Sequence, residues 1–213
     1  MQKVFFTSDT HFFHKNILKH CPLRKELCNA LDENDISSWD DWMVDRWNKV
    51  IGKHDIVYII GDFAFGSAEL AKKILGKLNG KKFLILGNHD GSSDKLDNYF
   101  KQITQQKMVV FKKEHYDFLE EDIQVFMCHY PLITWPSKHY GAIQLHGHCH
   151  GRLDAYNEES PDLRVDIGID STIAEFKPIP LEKIYKYFKS KTNGKLFKDY
   201  AIEKKEEDNT YII

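Results

Sequence analysis

Five short apolar runs, each followed directly by residues whose side chains bind metals, constrain the fold of this chain most strongly. The runs have the length of β-strands. The residues that follow them are Asp9 and His11, Asp62, Asn88 and His89, His129, and the alternate histidines His146, His148 and His150. In an open α/β sheet, ligands gather outside the carboxyl ends of the strands, so five such ends predict one shared polar site.

The order of elements in the first half of the chain predicts parallel strands connected by helices. Strands are predicted at residues 2–7, 55–60 and 82–86. Helices are predicted at residues 15–20, from Ser38 to Val50 with Ser38 as the N-cap, and at residues 67–78. Three tryptophans on one face of the helix from Ser38 indicate packing against a sheet, with a ligand platform as the less common alternative. Residues 21–36 contain Pro22 and many polar groups, and we predict a long loop there. This βαβαβ order indicates an α/β fold.

The second half has short connections and a charged tail. Strands are predicted at residues 108–111, 123–127, 142–145 and 163–169, and a helix at residues 178–190. We treat residues 1–213 as a single domain with its core in residues 1–188, because a chain of this length suits one sizeable core. The tail of residues 189–213 is rich in lysine and glutamate and forms either a solvated appendage or an edge strand. Its apolar end, Tyr211–Ile213, could pair with a neighbouring chain, and the oligomeric state is left open.

The composition is that of an ordinary globular protein, with 42% hydrophobic and 29% charged residues. A net charge of -2 indicates no dedicated nucleic-acid-binding surface. The four cysteines form no CxxC pair and are too few for a disulfide scaffold, which indicates reduced thiols. The sequence shows no signal-peptide core and no run long enough to cross a bilayer, so we expect a cytoplasmic protein without a membrane partner.

The number of candidate donors indicates the kind of site. Without His89 and His146, seven remain: Asp9, His11, Asp62, Asn88, His129, His148 and His150. A catalytic zinc uses about three protein ligands, whereas seven suit two cations about 4 Å apart that share one carboxylate. With two divalent ions and only two carboxylates, the site keeps a positive excess. That excess suits a phosphate ester, which gathers negative charge in the transition state.

The polar residues form short motifs in a fixed order along the chain. The motifs are Asp9-x-His11, Gly61-Asp62, Gly87-Asn88-His89-Asp90, His129 and Gly147-His148-x-His150. This order resembles the calcineurin-like metallophosphoesterase superfamily, and most closely its small single-domain bacterial and phage members with a Ser-Asp-Thr-His start. The resemblance covers about residues 4–170. It implies an α/β fold with mixed sheets, in the form of a four-layer αββα sandwich with two central sheets.

The resemblance also implies a role for each donor. Asp9, His11 and His150 would hold the first metal, Asp62 would bridge to the second metal, and Asn88, His129 and His148 would complete the second site. A hydroxide between the ions would attack phosphorus in line, and His89 would protonate the leaving oxygen or stabilise its charge. Manganese is the first expectation for both ions, with iron, zinc, cobalt and nickel as alternatives.

The chain departs from the family after the second predicted strand. Many members, including the Ser/Thr protein phosphatases, read Gly-Asp-x-x-Asp-Arg, whereas this chain reads Gly61-Asp62-Phe63-Ala64-Phe65-Gly66. Phe65 replaces the aspartate that orients the catalytic histidine in those relatives, and the phosphate-binding arginine is missing. The departure favours a phosphodiesterase for small or nucleotide-like substrates over a protein phosphatase. It leaves the partner of His89 open, with Asp90 adjacent in sequence.

Other polar residues are candidates for contacts with the substrate or with the ligands. His14, Arg24 and Arg152 are candidate substrate contacts, since a guanidinium matches the fork geometry of phosphate. The alternatives are a helix-start or surface histidine and solvated surface arginines. His139 and His146 are candidates for hydrogen-bond support of the ligands.

Three alternatives to a phosphodiesterase share this fold. A phosphomonoesterase would use the same donors. A non-catalytic interaction scaffold would have lost ligands or the catalytic histidine, but this chain keeps all seven donors and His89. A repair nuclease would need a capping domain, for which 213 residues leave no room.

Overall fold

Two β-sheets lie at the centre of the structure, a computed structural model that describes residues 2–32, 34–91 and 93–209. The strands are β1 (Val4–Thr7), β2 (Ile56–Ile60), β3 (Lys81–Ile85), β4 (Gln102–Thr104), β5 (Gln106–Phe111), β6 (Ile123–Cys128), β7 (Ile143–His146), β8 (Arg164–Asp166) and β9 (Ile179–Pro180). The helices are α1 (Ile17–His20), α2 (Pro22–Leu27), α3 (Ile36–Val50), α4 (Ala68–Leu75), α5 (Asp154–Glu159), α6 (Leu181–Lys191) and α7 (Phe197–Asn209). Short 3-10 helices lie at Ser93–Tyr99, Lys113–His115 and Lys138–Tyr140.

Both sheets contain parallel and antiparallel neighbours. The first sheet has the order β4-β3-β2-β1-β9, and β9 runs antiparallel to β1. The second has the order β5-β6-β7-β8, and β5 runs antiparallel to β6. The other neighbours are parallel, so β1, β2 and β3 end at one edge of the first sheet, and β6 and β7 end at one edge of the second. These are the five strand ends that carry the predicted donors.

A hydrophobic cluster joins the two sheets face to face. Val4 and Phe6 of β1 and Tyr58 of β2 belong to the same cluster as Met127 of β6 and Leu145 of β7. Side chains alternate along a strand, so every second residue of each strand faces this shared interior. The interior fixes the distance between the two groups of strand ends.

Helices cover the outer faces of the sheets. Phe5 and Val57 point away from the second sheet and pack with Trp39, Met43 and Trp47 of α3, which are all fully buried. On the far side, Nδ2 of Asn157 in α5 lies 3.1 Å from Nε2 of His146 in β7. This arrangement confirms the predicted α/β fold with two mixed sheets flanked by helices. Trp39 and Trp47 are core residues, and Trp42 is partly buried against them.

The start of α3 differs from the prediction. The carboxylate of Asp35 caps this helix, because it accepts hydrogen bonds from the backbone N–H of Ser38 at 3.4 Å and from its hydroxyl at 2.7 Å. The N-cap of α3 is therefore Asp35, and Ser38 is the residue that donates to it. An aspartate is as good an N-cap as a serine, so sequence pattern alone did not separate the two.

The predicted loop over residues 21–36 is wrong for residues 22–27, which form α2. Pro22 occupies the first turn of α2. A helix does not use the backbone N–H groups of its first turn, so a proline there starts a helix instead of preventing one. The backbone N–H of Cys28 then closes the helix on the carbonyl of Arg24 at 3.1 Å.

The described part of the tail contains the end of α6 and helix α7, so the predicted edge strand is wrong. Phe197 at the start of α7 is 2% exposed and packs against Tyr185 and Phe188 of α6. The predicted pairing segment Tyr211–Ile213 lies outside the described residues. Strands β4 and β9 were not predicted, because runs of three and two residues carry no readable periodicity.

All four cysteines are free thiols, as the sequence analysis expects. Among the helices of the described ranges, none combines the length and the apolar character that a membrane crossing requires.

Candidate metal centre

The carboxyl ends of five strands bring all seven predicted donors into one site. Asp9 and His11 follow β1, Asp62 follows β2, Asn88 follows β3, His129 follows β6, and His148 and His150 follow β7. The donors fall into two groups, and Asp62 approaches a histidine of each group.

The first group consists of Asp9, His11 and His150, whose ligand atoms all lie within 4.8 Å of one another. Nε2 of His11 is 3.8 Å from Oδ1 of Asp9 and 3.7 Å from Oδ2 of Asp62. Nε2 of His150 is 3.8 Å from Oδ1 of Asp9. These separations are too long for hydrogen bonds and suit donors arranged around a common cation.

The second group consists of Asn88, His129 and His148. Oδ1 of Asn88 is 3.1 Å from Nε2 of His129 and 3.0 Å from Nδ1 of His148. Oδ2 of Asp62 is 3.6 Å from Nε2 of His129, and the same oxygen is 3.7 Å from Nε2 of His11. One oxygen of Asp62 thus faces both groups, which is the placement that a bridging carboxylate requires.

His11 gives the clearest physical evidence that these donors fit metal ions. It is 3% exposed, and neither of its ring nitrogens has a hydrogen-bond partner within the described residues. A buried polar atom without a partner destabilises a protein by about 1–3 kcal/mol, and a cation at Nε2 would remove that cost for one nitrogen. Imidazole nitrogens together with carboxylate and amide oxygens suit first-row divalent metals.

The environment holds two of the donors in the forms that bind metals. Burial lowers the pKa of His11 to about 2, so its ring is neutral near pH 7. Burial raises the pKa of Asp62, but the combined interactions with His129, with the backbone N–H of His89 and with His11 outweigh burial and bring the pKa to about 2. Metals bind neutral imidazoles and ionised carboxylates, so neither group must first lose a proton.

The loops that carry the donors have a left-handed backbone at five positions. The positive φ angles are 57° at Asp9, 50° at His11, 51° at Asp62, 70° at His148 and 50° at His150. This region is strained for residues with a side chain, and such strain clusters at functional sites. Hydrogen bonds between the loops hold the conformation: the N–H of Asp9 donates to the carbonyl of Gly61, and the N–H of His11 donates to that of Asp62, both at 3.1 Å.

Two glycines allow the loops to approach each other. A Cβ atom at Gly87 would lie 2.3 Å from Oδ1 of Asp62. A Cβ atom at Gly147 would lie 2.0 Å from the hydroxyl of Ser8 and 2.3 Å from Oδ2 of Asp9. Both distances are far below van der Waals contact, so any larger residue at either position would displace a carboxylate of the site.

Asp90, the sequence neighbour of His89, connects two loops and does not orient the imidazole. Its carboxylate accepts hydrogen bonds from the backbone N–H groups of Asp62 at 2.9 Å, Phe63 at 3.1 Å and Gly87 at 2.8 Å. The backbone N–H of His89 in turn donates to Oδ1 of Asp62 at 2.9 Å. The main chain of His89 is therefore fixed to the carboxylate that faces both groups.

Several aromatic rings contact one side of the His89 imidazole. The ring of Phe65 lies 4.9 Å from that of His89 and 4.3 Å from that of His14. His14 is half-buried, and its ring is 5.2 Å from that of His11. The structure thus places His14 beside the site, and its contact with substrate stays a prediction. The side chain of His89 is 38% exposed and can meet a bound molecule.

Arg24 does not lie where a substrate contact requires. Its side chain is fully buried, and Nε donates to Oδ1 of Asp170 at 2.7 Å. Nη2 donates to the other oxygen of Asp170 and, at 2.8 Å, to the carbonyl of Asp9. The predictions of a phosphate contact and of a solvated surface arginine are therefore both wrong. The ion pair with Asp170, which lies 146 residues away along the chain, is what brings Arg24 inside.

Asp170 is a residue that the sequence analysis missed. Its Oδ2 lies 2.6 Å from Nδ1 of His150, one of the predicted donors. A signal was present, because Asp170 directly follows the predicted strand that ends at Ile169, as the other candidate ligands follow theirs. Carboxylate partners of this kind orient metal-binding histidines in many proteins.

The remaining candidates have different surroundings. His146 is fully buried, and its Nδ1 donates to the carbonyl of Gly147 at 2.8 Å, so it supports the main chain that leads to His148. Arg152 and His139 are exposed. Contact of Arg152 with substrate and support of the ligands by His139 stay predictions.

A solved structure shares this fold. A protein of unknown function from Aquifex aeolicus has a crystal structure that matches 88% of this chain and 100% of its own, with a TM-score of 0.64 and 24% identity. At that identity the likeness concerns the fold alone. It defines a class of α/β proteins built on two sheets.

A family model identifies the chain more specifically than the fold does. The model of the Calcineurin-like phosphoesterase family matches residues 2–203, and the chain belongs to that family, whose members are metal-dependent phosphoesterases that typically bind two metal ions. An uncharacterised protein of Methanocaldococcus jannaschii is 30% identical over 189 residues, which are 87% of this chain and 91% of that protein. The Gene 66 protein of Mycobacterium phage L5 is 28% identical over 195 residues, 80% of this chain and 88% of that protein. The resemblance found in the sequence is thus confirmed.

Proposed function

We propose that this chain is a dinuclear metal-dependent phosphoesterase. Asp9, His11, Asp62 and His150 would hold one divalent cation, and Asp62, Asn88, His129 and His148 would hold the other, with manganese as the first candidate. The observation that carries the proposal is the position of Asp62, whose Oδ2 lies 3.7 Å from His11 and 3.6 Å from His129. When bound, two such cations polarise a phosphate ester and activate water near pH 7.

His89 is the residue that we propose as the acid of the reaction. Its side chain is 38% exposed, and Nε2 lies 3.9 Å from Oδ2 of Asp62. The imidazole therefore stands at the edge of the donor cluster, where it can reach the leaving oxygen of a phosphate ester. An imidazole N–H can protonate a leaving group.

Two exposed aromatic rings support a nucleotide-like diester as substrate. Phe65 is 37% exposed and contacts His89, on the side of the leaving group. Tyr130 is 44% exposed, and its ring lies 4.8 Å from that of His148. Exposed aromatic faces bind nucleobases by stacking. Phe65-Gly66 also stands where protein phosphatases carry Asp-Arg, so this position offers no charged side chain to a terminal phosphate.

The proposed compartment is the cytoplasm. The four cysteines are all free, and no pair of them is bonded. Free thiols persist in a reducing compartment, whereas secreted proteins usually oxidise theirs.

The test of the proposed function is hydrolysis of bis(p-nitrophenyl) phosphate beside p-nitrophenyl phosphate, with manganese and with a chelator control. We expect turnover of the diester that the chelator abolishes, and little turnover of the monoester. Turnover of the monoester alone would replace the diesterase with a phosphomonoesterase. No turnover of either ester by metal-loaded protein would favour the non-catalytic interaction scaffold.

A further inference from the structure

A buried chain of charged and aromatic side chains lies directly behind one of the two donor groups. Trp39 of α3 supports the guanidinium of Arg24, whose carbon lies 4.6 Å from the ring. Arg24 donates hydrogen bonds to both carboxylate oxygens of Asp170 through Nε and Nη2. Oδ2 of Asp170 then accepts a hydrogen bond from Nδ1 of His150 at 2.6 Å. These contacts connect the core to a histidine that faces the proposed metal.

The same guanidinium also holds the main chain at Asp9. Nη2 donates to the carbonyl of Asp9 at 2.8 Å, and Nη1 donates to the carbonyl of Thr10 at 3.2 Å. The indole N–H of Trp39 donates to the same Thr10 carbonyl at 3.1 Å. Asp9 has a φ of 57°, so its loop needs such support to stay in the left-handed conformation. Arg24 therefore acts on two residues of the first donor group.

The imidazoles of the second donor group contact uncharged groups, whereas the backbone N–H of His148 donates to the Asp9 carboxylate at 3.0 Å. Nδ1 of His129 donates to the carbonyl of Ile60 at 2.8 Å. Nδ1 of His148 lies 3.0 Å from Oδ1 of Asn88, which is itself a candidate metal ligand. Within the described ranges, neither of these histidines has an arginine-bound carboxylate behind it. The two groups therefore differ in what fixes them.

We propose that the Arg24–Asp170 ion pair is a positioning unit for the first metal subsite alone. The hydrogen bond to Asp170 fixes the proton of His150 on Nδ1 and leaves the Nε2 lone pair directed at the side of Asp9, 3.8 Å away. A carboxylate behind the ring also makes the imidazole a stronger donor to a cation. The subsite of Asp9, His11 and His150 then binds its ion more tightly than the other subsite and fills first. This inference rests on the proposed function, since it takes the donors to be metal ligands.

The test is a manganese titration of the wild type and of Asp170→Asn, followed by calorimetry and by electron paramagnetic resonance. Asparagine keeps the shape but removes the charge that fixes His150. We expect the tighter of the two binding steps to weaken about 10- to 100-fold, with the weaker step changed by less than about twofold. At two equivalents of manganese, the wild type should show the signal of two coupled ions, and the variant should show the signal of an isolated ion.

The matched control is Asp154→Asn. Asp154 accepts hydrogen bonds from the N–H of Thr172 at 2.7 Å and from its hydroxyl at 2.8 Å. Thr172 lies two residues after Asp170, so both carboxylates hold the same stretch of chain. Loss of this carboxylate should leave both binding steps unchanged. Equal weakening in the two variants would mean that Asp170 only stabilises the local chain, and it would overturn the proposal.

Removal of Asp170 alone leaves the charge of Arg24 buried, so the single variant can fail to fold. The double variant Arg24→Met, Asp170→Asn removes both charges and keeps a similar volume, which proteins often tolerate. It should fold, as judged by circular dichroism without metal, and should show the same selective loss at the first subsite. Two unchanged binding steps in the folded double variant would refute the positioning role while leaving the proposed function intact. Wild-type protein that binds no manganese at all would refute the proposed function itself.

Discussion

The Oδ2 oxygen of Asp62 lies 3.6 Å from Nε2 of His129, and it is the same oxygen that faces His11 at 3.7 Å. Its partner oxygen Oδ1 accepts the backbone N–H of His89 at 2.9 Å. One carboxylate thus meets both donor groups and the proposed acid. Asp9 also has a ligand atom within 4.8 Å of His129, but Asp62 has one oxygen less than 4 Å from a histidine of each group, so the two-ion site depends most on Asp62.

Asp62→Asn is therefore expected to weaken both metal ions together, by at least tenfold each, because the amide loses the charge that two cations would share. The metal content of dialysed protein, measured by mass spectrometry, checks this. Asp117→Asn, at an exposed position, is the matched control and should keep both ions. Two tightly bound ions in Asp62→Asn would show that the carboxylate does not bridge.

His89→Ala is expected to lower kcat for bis(p-nitrophenyl) phosphate about 10²- to 10⁴-fold and to keep both ions, because the imidazole would act on the leaving group. Steady-state kinetics and metal analysis of the same preparation separate the two effects. His115→Ala, a change at an exposed histidine outside the site, should leave both quantities unchanged. Loss of a metal ion from His89→Ala would make this histidine a ligand instead of an acid.

Phe65→Ala is expected to raise KM about tenfold for a diester with an aryl group, since one stacking contact contributes on the order of 1–3 kcal/mol. A dialkyl phosphate has no ring to stack, so its KM should change little. Tyr140→Ala removes another exposed aromatic side chain and serves as the control. An equal rise in KM for aryl and alkyl esters would mean that Phe65 supports His89 and does not bind the substrate.

Asp40 gives the metal-free protein a pH dependence of its own. The carboxylate is 4% exposed, and burial raises its pKa from 3.8 to about 7. The unfolded chain keeps the lower pKa, so the stability contributed by the protonated group is complete below pH 3.8 and is lost as the pH rises through about 7. The loss is on the order of a few kcal/mol.

Asp40→Asn should therefore flatten the fall in the free energy of unfolding between pH 4 and pH 7. Urea denaturation in the presence of a chelator measures this without interference from metal binding. Asp41→Asn changes the neighbouring exposed carboxylate, and its pH profile should follow that of the wild type. A profile of Asp40→Asn as steep as that of the wild type would contradict the assignment.

The sequence predicts the parts of this site that depend on local patterns. Each apolar run is a strand whose end is visible in the residues themselves, and parallel strands bring such ends together without any further information. For this reason the placement of Asp9, Asp62 and His148 in one site follows from the order of the motifs. The αββα order of layers came from the resemblance, since local patterns do not show how two sheets pack.

Features that depend on distant pairing could not be predicted. The sequence around Arg24 does not mark it as buried, and its position is explained by contacts with distant residues, above all the ion pair with Asp170 across 146 residues. Asp35 and Ser38 have similar propensities for the N-cap position, so the sequence alone does not show which of them caps α3. Helix α7 packs on α6 through Phe197, which contacts Tyr185 and Phe188 across the turn between the two helices.

The most direct test of the dinuclear site is a crystal structure of the manganese-loaded protein with anomalous data collected at the manganese edge. We expect two peaks about 4 Å apart, on either side of Oδ2 of Asp62, with one near His11 and the other near His129. A single peak, or peaks away from Asp62, would contradict the two-ion site and with it the proposed reaction.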